Sequence, residues 1–258
     1  MRRLALIAAL SLAALPVAGC TTSSVGADAP PLAPAIYADV LTDSRRPAAD
    51  RDRDPARMPT QVLSFAEIAP GEVVGDYLMG GGYWTRLIAP AVGPEGKVYG
   101  FTADEFVAFR PAYATEQDAV VKDYDNDFKV RSPIAAPAIP EKLDTLITVQ
   151  NFHDLYIGAM PAGTGARTIK AFHDALKPGG TLVVIDHSAT AGSGTSTTDK
   201  THRIDRQFVI DTLTAAGFRL DSSADFYAQP DDPRTANVFD PAIRGKTDQF
   251  VLRFKKQG

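Results

Sequence analysis

Short apolar runs alternate with segments whose apolar residues recur at helical spacing, from about residue 60 to the end of the chain. The runs are strand-length and are separated by turns rich in glycine and proline. This alternation predicts an α/β domain with a mostly parallel sheet and helices on both faces. The last two runs have no clear helix between them, which predicts an antiparallel hairpin at one edge. The seven predicted strands lie near residues 73–76, 97–102, 127–131, 143–149, 181–185, 218–226 and 247–254.

A helical extension precedes the first strand, over residues 35–69. Its last part, residues 60–68, has apolar positions at helical spacing and ends at Pro70-Gly71. Residues 44–57 are dense in arginine and aspartate of mixed sign, so we expect a solvated helical surface with local ion pairs. An alternative is that this segment covers a bound ligand. The chain has no internal repeat and no second core-sized segment, which predicts one domain over residues 35–258.

The N-terminus has the features of an export signal. A basic start, Met1-Arg2-Arg3, precedes an apolar stretch over residues 4–18 that is short for a membrane span. The stretch ends in Val17-Ala18-Gly19-Cys20, which resembles the lipobox of bacterial lipoproteins. The resemblance implies cleavage after residue 19 and lipidation of Cys20. The alternatives are an ordinary secretory signal or a buried helix.

The same resemblance implies a location for the mature protein. Residues 20–34 are mostly small residues and proline, which is typical of a flexible tether. In lipoproteins, a residue such as Thr21 rather than aspartate after the cysteine favours the outer membrane. We therefore expect a protein that is lipid-anchored on the periplasmic side of the envelope, with membrane contact through Cys20.

Charge and cysteine content exclude some classes of partner. The 258 residues carry a formal net charge of −4, and no long basic run is present, so we expect no nucleic-acid partner. Cys20 is the only cysteine, which leaves no intrachain disulfide and no cysteine-rich metal site.

A glycine cluster follows the first predicted strand. Asp76 is followed by Gly80, Gly81 and Gly82, and then by a helical segment. Glycines let the backbone approach a ligand, and a helix N-terminus offers free N–H groups. This order favours a nucleotide-type cofactor site at the carboxyl edge of the sheet. A turn that only needs positive φ would have the same composition.

Three stretches together resemble the class I methyltransferases that use S-adenosylmethionine. They are the glycine motif at residues 76–82, the fourth strand with its polar tip at 144–151, and Ala175-Leu-Lys-Pro-Gly-Gly-Thr at the fifth strand. The resemblance covers roughly residues 60–254. More narrowly, Asn151-Phe-His-Asp154, Asp186-His187 and His202-Arg203 resemble a bacterial group of exported methyltransferases.

The resemblance implies a Rossmann-like seven-stranded sheet and S-adenosyl-L-methionine as cofactor. The implied cofactor-binding residues are Asp76, Gly80, Gly81, Gly82, Thr102 and Asn151. Two positions depart from the family pattern: Leu78 stands where the first glycine is usual, and Thr102 where an acid usually binds the ribose. Either Asp104 or Glu105 replaces that acid, or cofactor affinity is reduced. Tyr83 or Trp84 could stack on the cofactor, or pack in the core.

Candidate catalytic residues follow the fourth and fifth strands. His153 or His187 could act as a general base, with Asp154 orienting an imidazole. Structural hydrogen bonds are the alternative for each histidine. A His-Asp-His group could also bind a metal, but no third ligand is evident from sequence, so no metal is predicted.

Three more segments lie on the expected acceptor side. Residues 189–199 are rich in glycine, serine and threonine and predict a mobile lid. Asp231-Asp232-Pro233 and residues 237–244 predict a wall of the site. Arg203 and Arg206 are expected at the start of a helix, in surface ion pairs or against an anionic acceptor.

The sequence therefore predicts a lipid-anchored, S-adenosylmethionine-dependent methyltransferase that acts on a small molecule. The acceptor and the oligomeric state cannot be read from these residues. The second hypothesis is a non-catalytic lipoprotein of the same fold that binds a ligand or an envelope partner. Export favours the second hypothesis because the cofactor is made in the cytosol, and Leu78 and Thr102 also favour it.

Cys20→Ser tests the anchor. Without the thiol that receives the lipid, the protein should accumulate as an unprocessed or soluble species. Detergent phase partitioning and the mass of the mature N-terminus measure this outcome. A variant that still enters the detergent phase in lipidated form would contradict the lipobox interpretation.

Overall fold

The computed structural model describes residues 37–258. The predicted signal peptide (1–19), the lipidation site Cys20 and the tether (20–34) lie outside the described residues. Within the described part of the chain, no helix combines the length and apolar character needed to cross a membrane.

Seven strands form one sheet, and each corresponds to a strand predicted from the sequence. Their order across the sheet is β3-β2-β1-β4-β5-β7-β6. The strands are β1 (Val73–Tyr77), β2 (Lys97–Ala103), β3 (Asp127–Ser132), β4 (Leu143–Val149), β5 (Leu176–His187), β6 (Phe218–Ala224) and β7 (Gln249–Lys256).

The first five strands pair in parallel, and β7 runs antiparallel to both β5 and β6. The predicted fold class and its antiparallel edge pair are therefore confirmed. The Pro178-Gly179 turn predicted before the fifth strand forms an irregularity within β5, where the register with β4 shifts. Gly179 has a φ of +74° there, a conformation that glycine adopts without steric cost.

Helices surround the sheet. Four short ones form the N-terminal extension, α1 (Ala38–Leu41), α2 (Ala48–Arg51), α3 (Asp54–Arg57) and α4 (Pro59–Ala66). The others are α5 (Thr85–Val92), α6 (Asp104–Phe109), α7 (Ala112–Asp123), α8 (Thr164–Ala175), α9 (Thr198–Thr201) and α10 (Arg206–Ala215), with a 3₁₀ turn at His153–Tyr156.

Apolar cores lie on both faces of the sheet. Along β5, Leu182 and Val184 pack in one core, whereas Val183 and Ile185 pack in the other. Side chains of a strand alternate between its faces, so a strand that is covered on both sides needs an unbroken apolar run. This requirement explains why the Leu-Val-Val-Ile run of β5 is recognisable in the sequence.

One ion pair of the N-terminal extension is more buried than the composition suggested. Arg46 is only 1% exposed, and its guanidinium donates to both oxygens of Asp54 at 2.9 and 2.6 Å. Tyr83, beyond the glycine turn, donates its hydroxyl to the same carboxylate at 2.6 Å. Most of residues 44–57 are exposed and carry local ion pairs, as expected. The bond from Tyr83 in addition fastens the Arg46–Asp54 pair to the domain.

Arg203 also differs from its expected place. It precedes α10 and is fully buried, where it donates to the Asp232 carboxylate and to the carbonyl oxygens of Ser188 and Ala236. Since its guanidinium is fully buried and bonded to these acceptors, Arg203 is a structural link and not a surface ion pair or an anion-binding residue. It ties the segment before β7 to the carboxyl end of β5.

Candidate active site

A cleft of about 460 Å³ opens at the carboxyl ends of the parallel strands. β1 pairs with β2 on one side and with β4 on the other. The chain leaves β1 toward β2 and returns later at β4, so the connections diverge between them. Such a switch point leaves a crevice where ligands of open α/β sheets bind. The predicted residues after β1, β4 and β5 converge there.

The turn after β1 has three residues in the left-handed region. Leu78, Gly80 and Gly82 have φ values of +58°, +55° and +81°. Leu78 thus adopts the backbone conformation that suits the glycine usual at its position, at a steric cost of about 1–2 kcal/mol. Its carbonyl oxygen accepts a hydrogen bond from the Asn151 side chain at 3.1 Å, which joins the turn to the end of β4.

The three glycines have different surroundings. A Cβ on Gly82 would lie 2.4 Å from Val120 Cγ2, so this glycine permits close packing of the turn on α7. A Cβ on Gly80 would meet no atom within 4 Å, and one on Gly81 would come no closer than 3.8 Å to Glu116. Gly80 and Gly81 line the cleft. Open space beside a left-handed glycine is what a close backbone contact with a ligand requires.

A smaller cavity of about 40 Å³ lies between the ends of β1 and β2 and is lined by Gly80, Thr102 and Asn151. Thr102 is buried, and its hydroxyl has no hydrogen-bond partner among the described residues. A buried polar group without a partner is uncommon and is consistent with a ligand bond. The alternative acids are less suited: Glu105 already accepts from the Ile134 N–H at 2.9 Å, and Asp104 is exposed.

Asp76 lies below the cleft and not in its wall. It is 2% exposed and accepts a hydrogen bond from the Thr85 hydroxyl at 2.6 Å. Burial raises the pKa of Asp76 to about 6, and the Thr85 bond opposes this increase. Asp76 therefore braces the glycine turn against the first turn of α5, instead of projecting into the cleft as expected.

His153 is held by a carboxylate that the site prediction omitted. Its Nδ1 lies 2.8 Å from Asp186 Oδ1, and its backbone N–H donates to Asp186 Oδ2 at 2.7 Å. Burial alone lowers the pKa of His153, but the fully buried Asp186 carboxylate outweighs it and raises that pKa to about 9. Asp154, predicted to orient an imidazole, instead approaches the other nitrogen, Nε2, at 3.3 Å.

His187 also lines the cleft, with its ring centroid 6.3 Å from that of His153, and its imidazole is neutral. Its Nδ1 lies 2.9 Å from the Thr247 hydroxyl. Burial lowers the pKa of His187 to about 4, with Asp186 acting in the opposite sense. Of the two histidines predicted as bases, only His187 is therefore unprotonated near neutral pH in this structure.

His202, outside the predicted catalytic set, completes the histidine group. Its Nδ1 lies 3.3 Å from His153 Nε2, and the two rings are nearly perpendicular. The sequence signal was present in two places: His202 is one of only four histidines, and Asp186 is an acid at the end of an apolar strand. Their pairing with His153 depends on tertiary contacts.

A second cavity of about 400 Å³ adjoins the cleft and is lined by Arg53, Arg57 and Arg244, with no acidic side chain in its wall. Arg57 and Arg244 form no salt bridge with any described carboxylate. Burial lowers the pKa of Arg57 to about 10, which leaves it charged at neutral pH. His187 lines both spaces, so they form one continuous region.

Of the two loops expected on the acceptor side, one lines the cleft and the other does not. Val238 and Phe239, from the predicted wall at 237–244, do line the cleft. None of residues 189–199 does so. That loop is held by backbone N–H bonds from Gly192 and Gly194 to Asp205 Oδ2. The expected lid is thus tied to the start of α10.

Several solved structures are similar to this chain. A S-adenosylmethionine-dependent methyltransferase from Aquifex aeolicus matches with a TM-score of 0.53 and 19% identity, over 82% of this chain and 98% of its own. The arsenic(III) S-adenosylmethionine methyltransferase of Chlamydomonas reinhardtii matches with a TM-score of 0.54 and 16% identity, over 89% and 75%. The [4+2]-cyclase SpnF gives a TM-score of 0.56 and 15% identity, over 83% and 85%.

This chain has the class I methyltransferase fold. At such low identity the likeness shows the fold alone. No protein-family model and no curated protein sequence matches the chain. The chemistry must therefore be argued from the side chains of the cleft.

Asp76→Asn tests the buried carboxylate through pH. The pKa of Asp76 is higher in the folded protein, about 6, than its ordinary value of 3.8. The folded state therefore binds this proton more tightly, and its free energy of unfolding should fall as pH rises from about 4 to about 6. The contribution is up to about 3 kcal/mol. The Asp76→Asn variant keeps a hydrogen-bond acceptor for Thr85 but cannot titrate. Its free energy of unfolding should therefore fall less than that of wild type over this pH range.

Urea unfolding at pH 4, 5, 6 and 7 measures the difference between the two proteins. Thr85→Val is a matched control, because it removes the hydrogen bond but leaves the titrating carboxylate. Parallel stability curves for wild type and Asp76→Asn would contradict the buried, high-pKa assignment.

Proposed function

We propose that this protein is an S-adenosylmethionine-dependent methyltransferase whose acceptor is a small anionic molecule. The observation that carries the proposal is the cleft at the switch point. One half of it has an open glycine turn and an unpartnered hydroxyl, and the other half has imidazoles and guanidinium groups.

The cofactor half is formed by Gly80, Gly81, Thr102 and Asn151. Their open space and unpartnered hydroxyl fit an adenosyl group that needs close backbone contact and a ribose hydrogen bond. Trp84 also lines the cleft, and its indole N–H is a buried donor without a partner among the described residues. Thr102 would supply one hydrogen bond where a carboxylate supplies two, so we expect moderate cofactor affinity.

S-adenosylmethionine, when bound, supplies a methyl group on a positively charged sulfur. The acceptor's nucleophilic atom bonds to the methyl carbon as the carbon–sulfur bond breaks, leaving S-adenosylhomocysteine. This displacement depends mainly on positioning. For an acceptor that must lose a proton, His187 stands between the two cavities as the imidazole able to receive it.

The anionic acceptor is inferred from Arg53, Arg57 and Arg244. Arg57 and Arg244 have no carboxylate partner among the described residues, whereas Arg53 also pairs with Asp50 at 3.7 Å. Guanidinium groups that line a cavity without acidic side chains favour carboxylates or phosphates through charge-assisted bonds. The net charge of the whole chain is −4, so this cationic lining is a local feature.

The N-terminal features support a lipid-anchored protein on the periplasmic side, with the outer membrane as its site. That location separates the two functional hypotheses. An enzyme there needs cofactor outside the cytosol, whereas a non-catalytic lipoprotein of this fold would use the same cleft only to bind a ligand.

Gly80→Val tests the cofactor half. A branched side chain in the open space beside the turn should reduce affinity for S-adenosylhomocysteine at least about tenfold, a loss of 1.4 kcal/mol or more. Calorimetric titration of the full chain in detergent gives the dissociation constants. Gly179→Val is the matched control, since Gly179 also has positive φ and open space but does not line the cleft. It should keep wild-type affinity despite similar backbone strain.

The outcomes separate the hypotheses. If wild type shows no binding of S-adenosylhomocysteine up to millimolar concentration, the enzyme hypothesis is excluded and the non-catalytic lipoprotein hypothesis remains. Normal affinity in Gly80→Val would mean that the ligand binds elsewhere, and an equal loss in Gly179→Val would indicate general destabilisation.

Arg57→Gln and Arg244→Gln test the acceptor half. Succinate and inorganic phosphate should raise the melting temperature of wild type, whereas uncharged succinamide should not. Loss of one charge-assisted bond should weaken anion binding about 10- to 150-fold. Arg219→Gln is the control, because Arg219 is an exposed residue of β6 outside both cavities. Equal stabilisation by succinamide would contradict an anionic acceptor.

A further inference from the structure

Three potential ligand atoms converge on one point of the cleft wall. His153 Nε2 lies 3.3 Å from Asp154 Oδ1 and 3.3 Å from His202 Nδ1. All three atoms lie within 4.8 Å of one another, and no other group of three such residues meets this criterion in the described part of the chain. The third ligand, which was not evident from the sequence, is His202.

The separations match a coordination sphere. With metal–nitrogen and metal–oxygen bonds of about 2.0–2.1 Å, neighbouring ligands in a tetrahedron lie about 3.3 Å apart. Two of the three separations already have this length. Asp154 and His202 are only partly buried, so their side chains can close the third separation without disturbing the core.

Asp186 supplies the supporting carboxylate that metal-bound histidines usually have. It is fully buried, and it accepts bonds from His153 Nδ1 and from the backbone N–H groups of His153 and His187. The contact at Nδ1 directs Nε2, the other ring nitrogen, toward Asp154 and His202. The buried Asp186 carboxylate at the end of β5 therefore fixes the orientation of the His153 imidazole as a metal ligand.

His202 is held in an uncommon backbone conformation. Its φ is +53°, in the left-handed region, where it caps the C-terminus of α9. Its N–H donates to the Thr198 carbonyl oxygen at 3.1 Å, and Phe239 packs edge-on against its ring at 4.9 Å. This cap and the Phe239 contact fix the position of the His202 ring beside His153.

We propose that His153, Asp154 and His202 bind one divalent transition-metal ion, of the class of Zn²⁺, Co²⁺ or Fe²⁺. Two imidazoles and one carboxylate suit these metals, whereas Mg²⁺ and Ca²⁺ prefer oxygen ligands alone. All three residues line the cleft, so the remaining coordination positions face it. An open position marks a site for a water or a bound molecule, not a closed structural site.

The site is placed to receive an oxygen ligand. The adjoining cavity with its three arginines would hold the anionic part of a molecule whose oxygen reaches the ion. The metal proposal does not depend on methyl transfer, because the ion and the cofactor half of the cleft use different residues.

Metal titration tests the proposal. The full chain, purified in detergent without a histidine tag and treated with chelator, should bind one equivalent of Zn²⁺ in calorimetry. Co²⁺ should give the visible absorption bands of a low-symmetry nitrogen–oxygen site. His202→Ala should abolish both signals, and Asp186→Asn should weaken binding by about 10- to 100-fold. His173→Ala removes a histidine of α8 outside the cluster and should change neither signal.

Three results would overturn the proposal. The first is the absence of stoichiometric Zn²⁺ binding by wild type, which would mean that His153 and His202 share only a hydrogen bond. Another is unchanged affinity in His202→Ala. The third is uptake that disappears in Cys20→Ser, which would place the ion elsewhere. S-adenosylhomocysteine titration of the metal-free protein is a separate measurement, so failure of one proposal is distinguishable from failure of the other.

Discussion

The candidate site depends on the position of β1 between two parallel neighbours. The chain leaves β1 toward β2 and re-enters the sheet at β4 on the other side, so the segments beyond β1 and β4 must diverge. They do so through backbone in the left-handed region at Leu78, Gly80 and Gln150. Hydrogen bonds at both non-glycine residues, and burial of Leu78, offset the strain. Without this divergence there would be no cleft.

A single carboxylate organises the chemistry at the edge of that cleft. Asp186 ends an apolar strand and is fully buried, a position that is costly for an unpaired charge. Three hydrogen bonds from His153 and His187 compensate it. The Thr247 hydroxyl holds the His187 ring. The two bonds from His153 orient its own imidazole, so that the other ring nitrogen faces the cleft. That nitrogen can carry a proton or bind a metal, and the surrounding polar groups are compatible with either.

The structural neighbours are named for different reactions. They include S-adenosylmethionine-dependent methyltransferases and a [4+2]-cyclase, all at less than 20% identity to this chain. One fold therefore supports different reactions. In this chain the cleft has a cluster of histidines, and the adjoining cavity is lined by arginines from the N-terminal extension and from the segment before β7.

The sequence alone determined the seven strands, their flanking helices and the edge of the sheet where function is expected, because periodicity and turn glycines are local properties. It also singled out Asn151, His153 and His187 at that edge. Only the tertiary structure decided which polar groups share an environment. It placed Asp76 beneath the cleft, and it brought together His153 with Asp186 and with His202, 33 and 49 residues away. Such pairings follow from packing between distant segments, and local patterns do not encode them.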